Sequence, residues 1–131
     1  MGEVAIGDIV KTKYNSGTYI GKVIEDRRNF FLVEIRAVVE HPAQGDLHNP
    51  GQVEGVAFHE RKALAFREKA NARKRDTTLF TGDIPDYASS LKTAVESIKK
   101  QLSEEDTAYN KASLARIHDL EEHFYNKIYN N

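Results

Sequence analysis

One short segment contains three of the five histidines, and Asp46 and Glu60 are among its carboxylates. The set that could do chemistry is His41, Asp46, His48, His59 and Glu60. Imidazole and carboxylate groups are the usual protein ligands of zinc and non-haem iron, and a His–carboxylate pair can also serve in acid–base catalysis. The spacing matches no compact metal motif, and no two histidines stand four residues apart on a predicted helix. We therefore expect no metal and no cofactor here; a metal-dependent enzyme using this set is an alternative.

Other catalytic classes lack their residues. The chain has no Cys, which excludes thiolate metal sites, disulfides and Cys nucleophiles within these 131 residues. No strand-to-helix elbow carries a Ser nucleophile, and the three glycines Gly45, Gly51 and Gly55 are too scattered to form a phosphate-binding loop. The sequence thus predicts a protein that is not an enzyme.

The segment from 40 to 60 is predicted to be a long loop, because a β-type run stops at Pro42 and the residues that follow are rich in Pro, Gly and polar side chains. Loops of about twenty residues are uncommon in compact domains and are often functional. We expect this loop to form a partner-binding surface. Its candidate residues are His41, Gln44, Gly45, Asp46, His48, Phe58, His59 and Glu60.

A basic run follows the loop. Residues 61–75 include Arg61, Lys62, Arg67, Lys69, Arg73, Lys74 and Arg75. Small β-barrels can bind nucleic acid through such a strand, so a nucleic-acid-binding barrel is a second alternative. However, residues 1–80 carry 13 basic and 11 acidic groups and the whole chain has a net charge of −1, so nucleic acid is an improbable partner.

The elements that would hold this loop are strands. Alternation of β-branched and aromatic residues predicts strands at 9–14, 18–25 and 30–39, with Gly21 marking a bulge. A fourth strand is predicted at 62–66 and a short fifth at 71–74. Closely spaced hairpins of this kind are typical of small SH3-like barrels, and we assign residues 1–80 to such a barrel.

Beyond residue 80 the period of the apolar residues changes to that of helices. Pro85 and Asp86 mark a helix start, and residues 103–106 have the spacing of a capping box between two helices. We predict an α+β fold in which residues 81–131 form an antiparallel helical hairpin packed on the barrel; one unbroken helix is the competing interpretation. Phe124 is predicted to lie in the core, with Tyr125 and Tyr129 at the edge of the apolar stripe as an exposed aromatic strip.

Three segments together resemble the kinase-associated protein B family of endospore-forming bacteria: residues 41–48 (His-Pro-Ala-Gln-Gly-Asp-Leu-His), residues 58–65 (Phe-His-Glu-Arg-Lys-Ala-Leu-Ala) and residues 82–87 (Gly-Asp-Ile-Pro-Asp-Tyr). The resemblance extends over essentially the whole chain. It implies an SH3-like barrel followed by helices, and an accessory protein that promotes the activity of a membrane-bound sensor histidine kinase in the sporulation phosphorelay.

The resemblance also bears on location. The family is sometimes described as a lipoprotein, but lipidation at a lipobox requires Cys, which this chain lacks. No apolar run approaches the roughly 18 residues of a membrane helix. We therefore expect a cytoplasmic protein without direct membrane insertion, held at the inner face of the membrane through its kinase partner.

Overall fold

The computed structural model describes residues 3–129, in which an antiparallel sheet of five strands precedes two helices. The strands are β1 (Ile9–Tyr14), β2 (Gly17–Arg27), β3 (Phe30–Glu40), β4 (Lys69–Arg73) and β5 (Thr77–Leu79), with a 3-10 turn at Lys74–Asp76. Helix α1 spans Tyr87–Ser103. Helix α2 (Ala108–Leu120) continues through a π-helical turn (Glu121–Tyr125) into a last helical turn, α3 (Asn126–Tyr129). The α+β class predicted from the sequence is confirmed.

The sheet is open, so the predicted closed barrel is wrong. The strand order is β4-β3-β2-β1-β5, with β4 and β5 as its two edges. The three-residue β5 pairs with Val10–Thr12 of β1, and the 3-10 turn leads the chain from one edge to the other. The sheet curls enough to bring β1 and β4 into contact, but within residues 3–129 no ladder joins β4 to β5.

The bulge predicted at Gly21 is confirmed. The register between β2 and β3 shifts between Ile20 and Gly21. A Cβ atom at Gly21 would lie 2.5 Å from the carbonyl oxygen of Glu34 and 2.5 Å from Val33 Cγ1. Only glycine permits so close an approach of the two strands.

The fourth strand predicted at 62–66 does not form; these residues run in an irregular path between the loop and β4 (Lys69–Arg73). Tyrosine hydroxyls take the place of a strand partner. The amide of Ala63 donates to Tyr125 Oη at 2.9 Å, and the amide of Leu64 donates to Tyr19 Oη at 3.2 Å. The Tyr87 hydroxyl donates to the carbonyl oxygen of Leu64 at 2.5 Å. Buried backbone groups are thus satisfied without a ladder.

Both helices begin at side-chain caps. Asp86 accepts the amide of Ser89, as the sequence predicts for α1, whereas α2 is capped by Thr107, which accepts the amide of Asn110, and not by residues 103–106. Lys99, near the C-terminal end of α1, bonds at 2.9 Å to Glu121, at the C-terminal end of α2. Helix α1 also contacts α3, so the two predicted helices are separate, as residues 104–107 interrupt them, and they pack on each other.

One core joins the sheet to the helices. It contains Val10, Tyr19, Val23, Phe31, Val33, Ile35, Val38, Ala63, Ala72, Leu91, Ala94, Val95, Ile117, Leu120 and Tyr125. Helix α1 packs across β3, and the Ser90 hydroxyl accepts the amide of Val38 at 3.0 Å. The helices therefore cover one face of the open sheet, as an amphipathic stripe requires.

The last helical turns reverse the prediction for Phe124 and Tyr125. Tyr125 is buried with 1% of its surface exposed, whereas Phe124 is 42% exposed and carries the Lys62 ammonium 4.1 Å from its ring centre. The apolar stripe reaches Ile117 and Leu120 in normal α-helical register. The π-helical turn then adds one residue to the turn, which moves the inward-facing position from 124 to 125.

Candidate functional site

The base of the predicted loop is anchored by His41 at the end of β3. The side chain is 5% exposed, and its Nε2 atom accepts the Tyr125 hydroxyl at 2.8 Å. Its Nδ1 atom lies 2.9 Å from the carbonyl oxygen of Pro42, which can only accept, so Nδ1 carries the proton. Burial lowers the pKa of His41 to about 4. The imidazole is therefore neutral at physiological pH and serves as a structural anchor.

Gln44 holds the two ends of the loop together. Its buried Nε2 group donates to the carbonyl oxygens of Pro42 and Arg61, at 3.0 Å and 2.9 Å, and its Oε1 accepts the amide of Arg61 at 2.8 Å. The Tyr109 hydroxyl of α2 donates to the carbonyl oxygen of Gln44 at 2.9 Å. The Gln44 side chain thus joins the two ends of the loop, and the Gln44 backbone carbonyl connects the loop to α2.

Gly45 and Phe58 form the second contact across the loop. Gly45 has a φ of +96°, and its amide donates to the carbonyl oxygen of His59 at 2.8 Å. A Cβ atom at Gly45 would lie 2.8 Å from the Phe58 ring. The ring packs edge-on against Tyr109, with centroids 5.9 Å apart, and the Arg116 guanidinium lies 5.8 Å from its centre. Position 45 therefore requires glycine for both its φ and its space.

Asp46 begins the outer part of the loop. Its carboxylate accepts the Asn49 side-chain amide at 3.0 Å and the His48 backbone amide at 2.9 Å. These two bonds hold the pKa of Asp46 below its usual range, and the bond from Asn49 has the larger effect. The carboxylate therefore remains charged and shapes a local turn of the kind in which an Asx side chain imitates the backbone.

The structure divides the eight candidate residues into an inner and an outer set. His41, Gln44 and Gly45 are buried and Phe58 is half-buried, whereas His48, His59 and Glu60 are exposed beside the half-buried Asp46. The inner set fixes the loop to the helices. The outer set, which we call the loop face (Asp46, His48, His59 and Glu60), presents imidazole and carboxylate groups to solvent. Such a surface is suited to recognition by hydrogen bonds and charge.

Within residues 3–129 the histidines and carboxylates of the loop do not converge into a set of three groups able to hold one ion. Three exposed groups on the helix, from Asp119, Glu122 and His123, do lie within 4.8 Å of one another. Their i, i+3 and i+4 spacing places them on one face of the helix, a cluster that the sequence did not lead us to predict. Clustered exposed acidic groups of this kind are common without an ion.

The structure also shows a basic cleft that sequence reasoning missed. It has a volume of about 500 Å³ and lies between the β2–β3 turn and the 3-10 turn; its lining residues are Arg28, Asn29, Phe30, Arg73, Lys74 and Arg75. The sequence predicted the basic run at 61–75, but not that residues 28–30 lie beside it. The sequence signal that could have pointed to this cleft is Phe30, an aromatic residue that follows Arg27, Arg28 and Asn29.

Among the described residues, no helix combines the length and the apolar character needed to cross a membrane.

Comparison with known proteins gives consistent matches. The family model described as kinase associated protein B matches residues 14–125. Kinase-associated lipoprotein B of Bacillus subtilis (strain 168) is 39% identical over 127 residues, which cover 97% of this chain and 99% of that protein. The crystal structure of kinase-associated protein B from Bacillus cereus superposes with a TM-score of 0.78 at 35% identity, covering 91% of this chain and 95% of that one.

Proposed function

The chain belongs to the kinase-associated protein B family, and we propose that it is a non-catalytic accessory protein that binds a sensor histidine kinase and promotes its activity in the sporulation phosphorelay. The observation that carries the proposal is the similarity over nearly the full length to a protein named for its association with a kinase. The chain also lacks the glycine-rich loop and catalytic signatures of a kinase, which is consistent with an accessory role.

The loop is proposed as the contact surface. Buried hydrogen bonds from His41 and Gln44 hold its base, so the loop face can meet a partner without a large ordering cost. In this scheme the segment 1–80 is the recognition unit and the segment 81–131 braces it through Tyr109 and Tyr125.

Activation would follow from unequal binding to two kinase states. A ligand shifts a conformational equilibrium only by the difference between its affinities for the two states. The loop face would therefore contact a kinase surface that is present, or correctly oriented, in the active arrangement. This requires no chemistry from the accessory protein.

The name of the Bacillus subtilis relative contains the word lipoprotein. These 131 residues contain no Cys to which a lipid could be attached at a lipobox. We propose that this chain reaches the inner face of the membrane through its contact with the membrane-bound kinase.

The test combines a binding assay with kinase autophosphorylation. The double variant His59→Ala/Glu60→Ala removes two exposed side chains of the loop face. The matched control Lys92→Ala/Glu96→Ala removes two exposed charged side chains of α1. The wild-type protein and the control should bind the kinase and raise its autophosphorylation rate, whereas the loop variant should do neither at the same concentration. Absence of binding by the wild-type chain at micromolar concentration would reject the proposal.

A further inference from the structure

A groove extends the basic cleft along the end of the sheet. A second cleft of about 380 Å³ shares Phe30 and Arg73 with the first and continues to Lys13, Tyr14 and Asn15. A third, of about 180 Å³, shares Tyr14 and Asn15 with the second and reaches Glu60, Arg61 and Lys62. The three clefts therefore follow one another from the 3-10 turn to the loop face; we call them together the basic groove.

Most of the charged side chains that line the basic groove are cationic, with Asp76 and Glu60 as the acidic exceptions. The Lys74 ammonium already has partners within the protein, because it forms an ion pair with Asp26 and lies 4.9 Å from the centre of the Phe31 ring. In contrast, Arg28, Arg73 and Arg75 form no ion pair with any residue in the part of the chain that the structure describes. Three guanidinium groups thus line the first cleft without an internal carboxylate.

An apolar surface lies among these cations. Phe30 is 39% exposed and belongs to both the first and the second cleft. Tyr14 lines the second and third clefts. Guanidinium groups beside the exposed Phe30 ring and the half-buried Tyr14 suit a ligand that alternates carboxylate groups with an apolar or aromatic side chain, since Arg pairs bidentately with carboxylates.

We propose that the basic groove binds an extended acidic segment of a protein partner, with carboxylates at Arg28, Arg73 and Arg75 and an apolar side chain against Phe30. The inference rests on the proposed function and names the chemistry of the kinase surface that the chain would recognise. A long polyanion fits less well, because the whole chain carries a net charge of −1 and attracts nucleic acid only weakly at long range. A short acidic segment requires only the local charge.

The position of the groove supports a protein segment. Its third cleft ends at Glu60, which belongs to the loop face, so one extended partner could contact the loop face and the arginines together. The Ser16 hydroxyl, in the turn that lines the second cleft, accepts the amide of Ala43 at 3.0 Å, which fixes this turn to the base of the loop. This hydrogen bond therefore links the basic groove to the base of the loop.

The first experiment uses the full chain and a fluorescent peptide of sequence Glu-Glu-Phe-Glu-Glu-Phe-Glu-Glu. Anisotropy should show saturable binding that weakens with salt. The variant Arg73→Gln/Arg75→Gln should lower the affinity about tenfold, since it removes two exposed charge-assisted contacts. The control Lys92→Gln/Lys100→Gln changes the net charge equally on the exposed face of α1 and should leave the affinity unchanged. Far-UV circular dichroism melts check that both variants are folded.

Four outcomes would overturn the inference. In the first outcome the peptide does not bind. In the second, the groove variant and the α1 control lower the affinity for the peptide equally, which indicates a general charge effect. Alternatively, a ten-nucleotide dT strand or phosphatidylglycerol vesicles bind more tightly than the peptide and depend more strongly on Arg73 and Arg75, which assigns the groove to nucleic acid or to lipid.

The second experiment separates this inference from the proposed function. If the wild-type chain binds the kinase and Arg73→Gln/Arg75→Gln weakens that binding about tenfold, the proposed function and the assignment of the groove are both supported. If the variant binds the kinase as well as the wild type does, the groove is not the contact, but the accessory role is retained. If the wild-type chain fails to bind the kinase, the proposed function fails and the assignment of the groove to that partner fails with it.

Discussion

The Tyr125 hydroxyl is the point at which the helices hold the loop, and its removal is the sharpest structural test. In Tyr125→Phe the ring remains in the core, but its two hydrogen bonds are lost. The amide of Ala63 and the Nε2 atom of His41 then have no partner in a buried site. A buried polar group left unsatisfied costs about 1–3 kcal/mol. We therefore expect the free energy of unfolding to fall by about 2–4 kcal/mol.

The matched control is Tyr129→Phe. The hydroxyl of Tyr129 is buried and has no hydrogen-bond partner in the region that the structure describes. Its removal should change the free energy of unfolding by less than about 1 kcal/mol, or increase it slightly, because an unsatisfied group disappears. The two variants make the same chemical change at positions four residues apart, so the comparison isolates the hydrogen bonds.

Urea unfolding followed by circular dichroism measures both variants, with midpoints and slopes fitted separately. For a chain of this length the expected loss corresponds to a fall of roughly 10 °C in melting temperature. Equal stabilities of Tyr125→Phe and the wild type would refute the reasoning, because they would mean that the hydroxyl network does not hold the loop to the helices.

Three further predictions follow from the same geometry. The free energy of unfolding of the wild type should decrease by about 3 kcal/mol as the pH falls from 6.5 to 4, since the unfolded chain binds a proton at His41 that the folded chain excludes. In urea titrations across this pH range, His41→Gln should remove that contribution to the pH dependence of the free energy of unfolding. Gly45→Ala should destabilise by about 1–3 kcal/mol in urea, through strained φ and contact with the Phe58 ring, and more than Gly51→Ala, where nothing lies within 4 Å. Phe124→Ala should cost less than about 1 kcal/mol in thermal melts, because its ring is 42% exposed; a loss above 3 kcal/mol would place it in the core.

The strands and helices were largely readable from sequence, because their signals are local. Alternation over 30–39 and the glycine at 21 predicted β3 and its bulged partner, and the period change after residue 80 predicted the helices. The sequence could not show that the sheet stays open, since pairing of β4 with β5 depends on the path of the chain between these two strands. The segment 62–66 alternates like a strand, but its amides bond to tyrosines that are distant in sequence.

The site was predictable in position and not in detail. The composition of residues 40–60 pointed to the loop, but could not separate the buried His41 from the exposed His48. The environment of His41 is set by Tyr125, which itself was assigned to the wrong face because a π-helical turn has no clear sequence signature. The basic groove was missed for a related reason: Arg28 and Arg75 are far apart in sequence and meet only through the sheet.

The central claim is that the loop face binds a sensor histidine kinase. Hydrogen–deuterium exchange of the full chain, measured with and without the purified kinase, tests it most directly. The account predicts that amides of residues 46–60 become slower to exchange in the complex, while the exposed side of α1 around Lys92 and Glu96 is unchanged. Protection confined to α1, or no protection anywhere at saturating kinase, would contradict it.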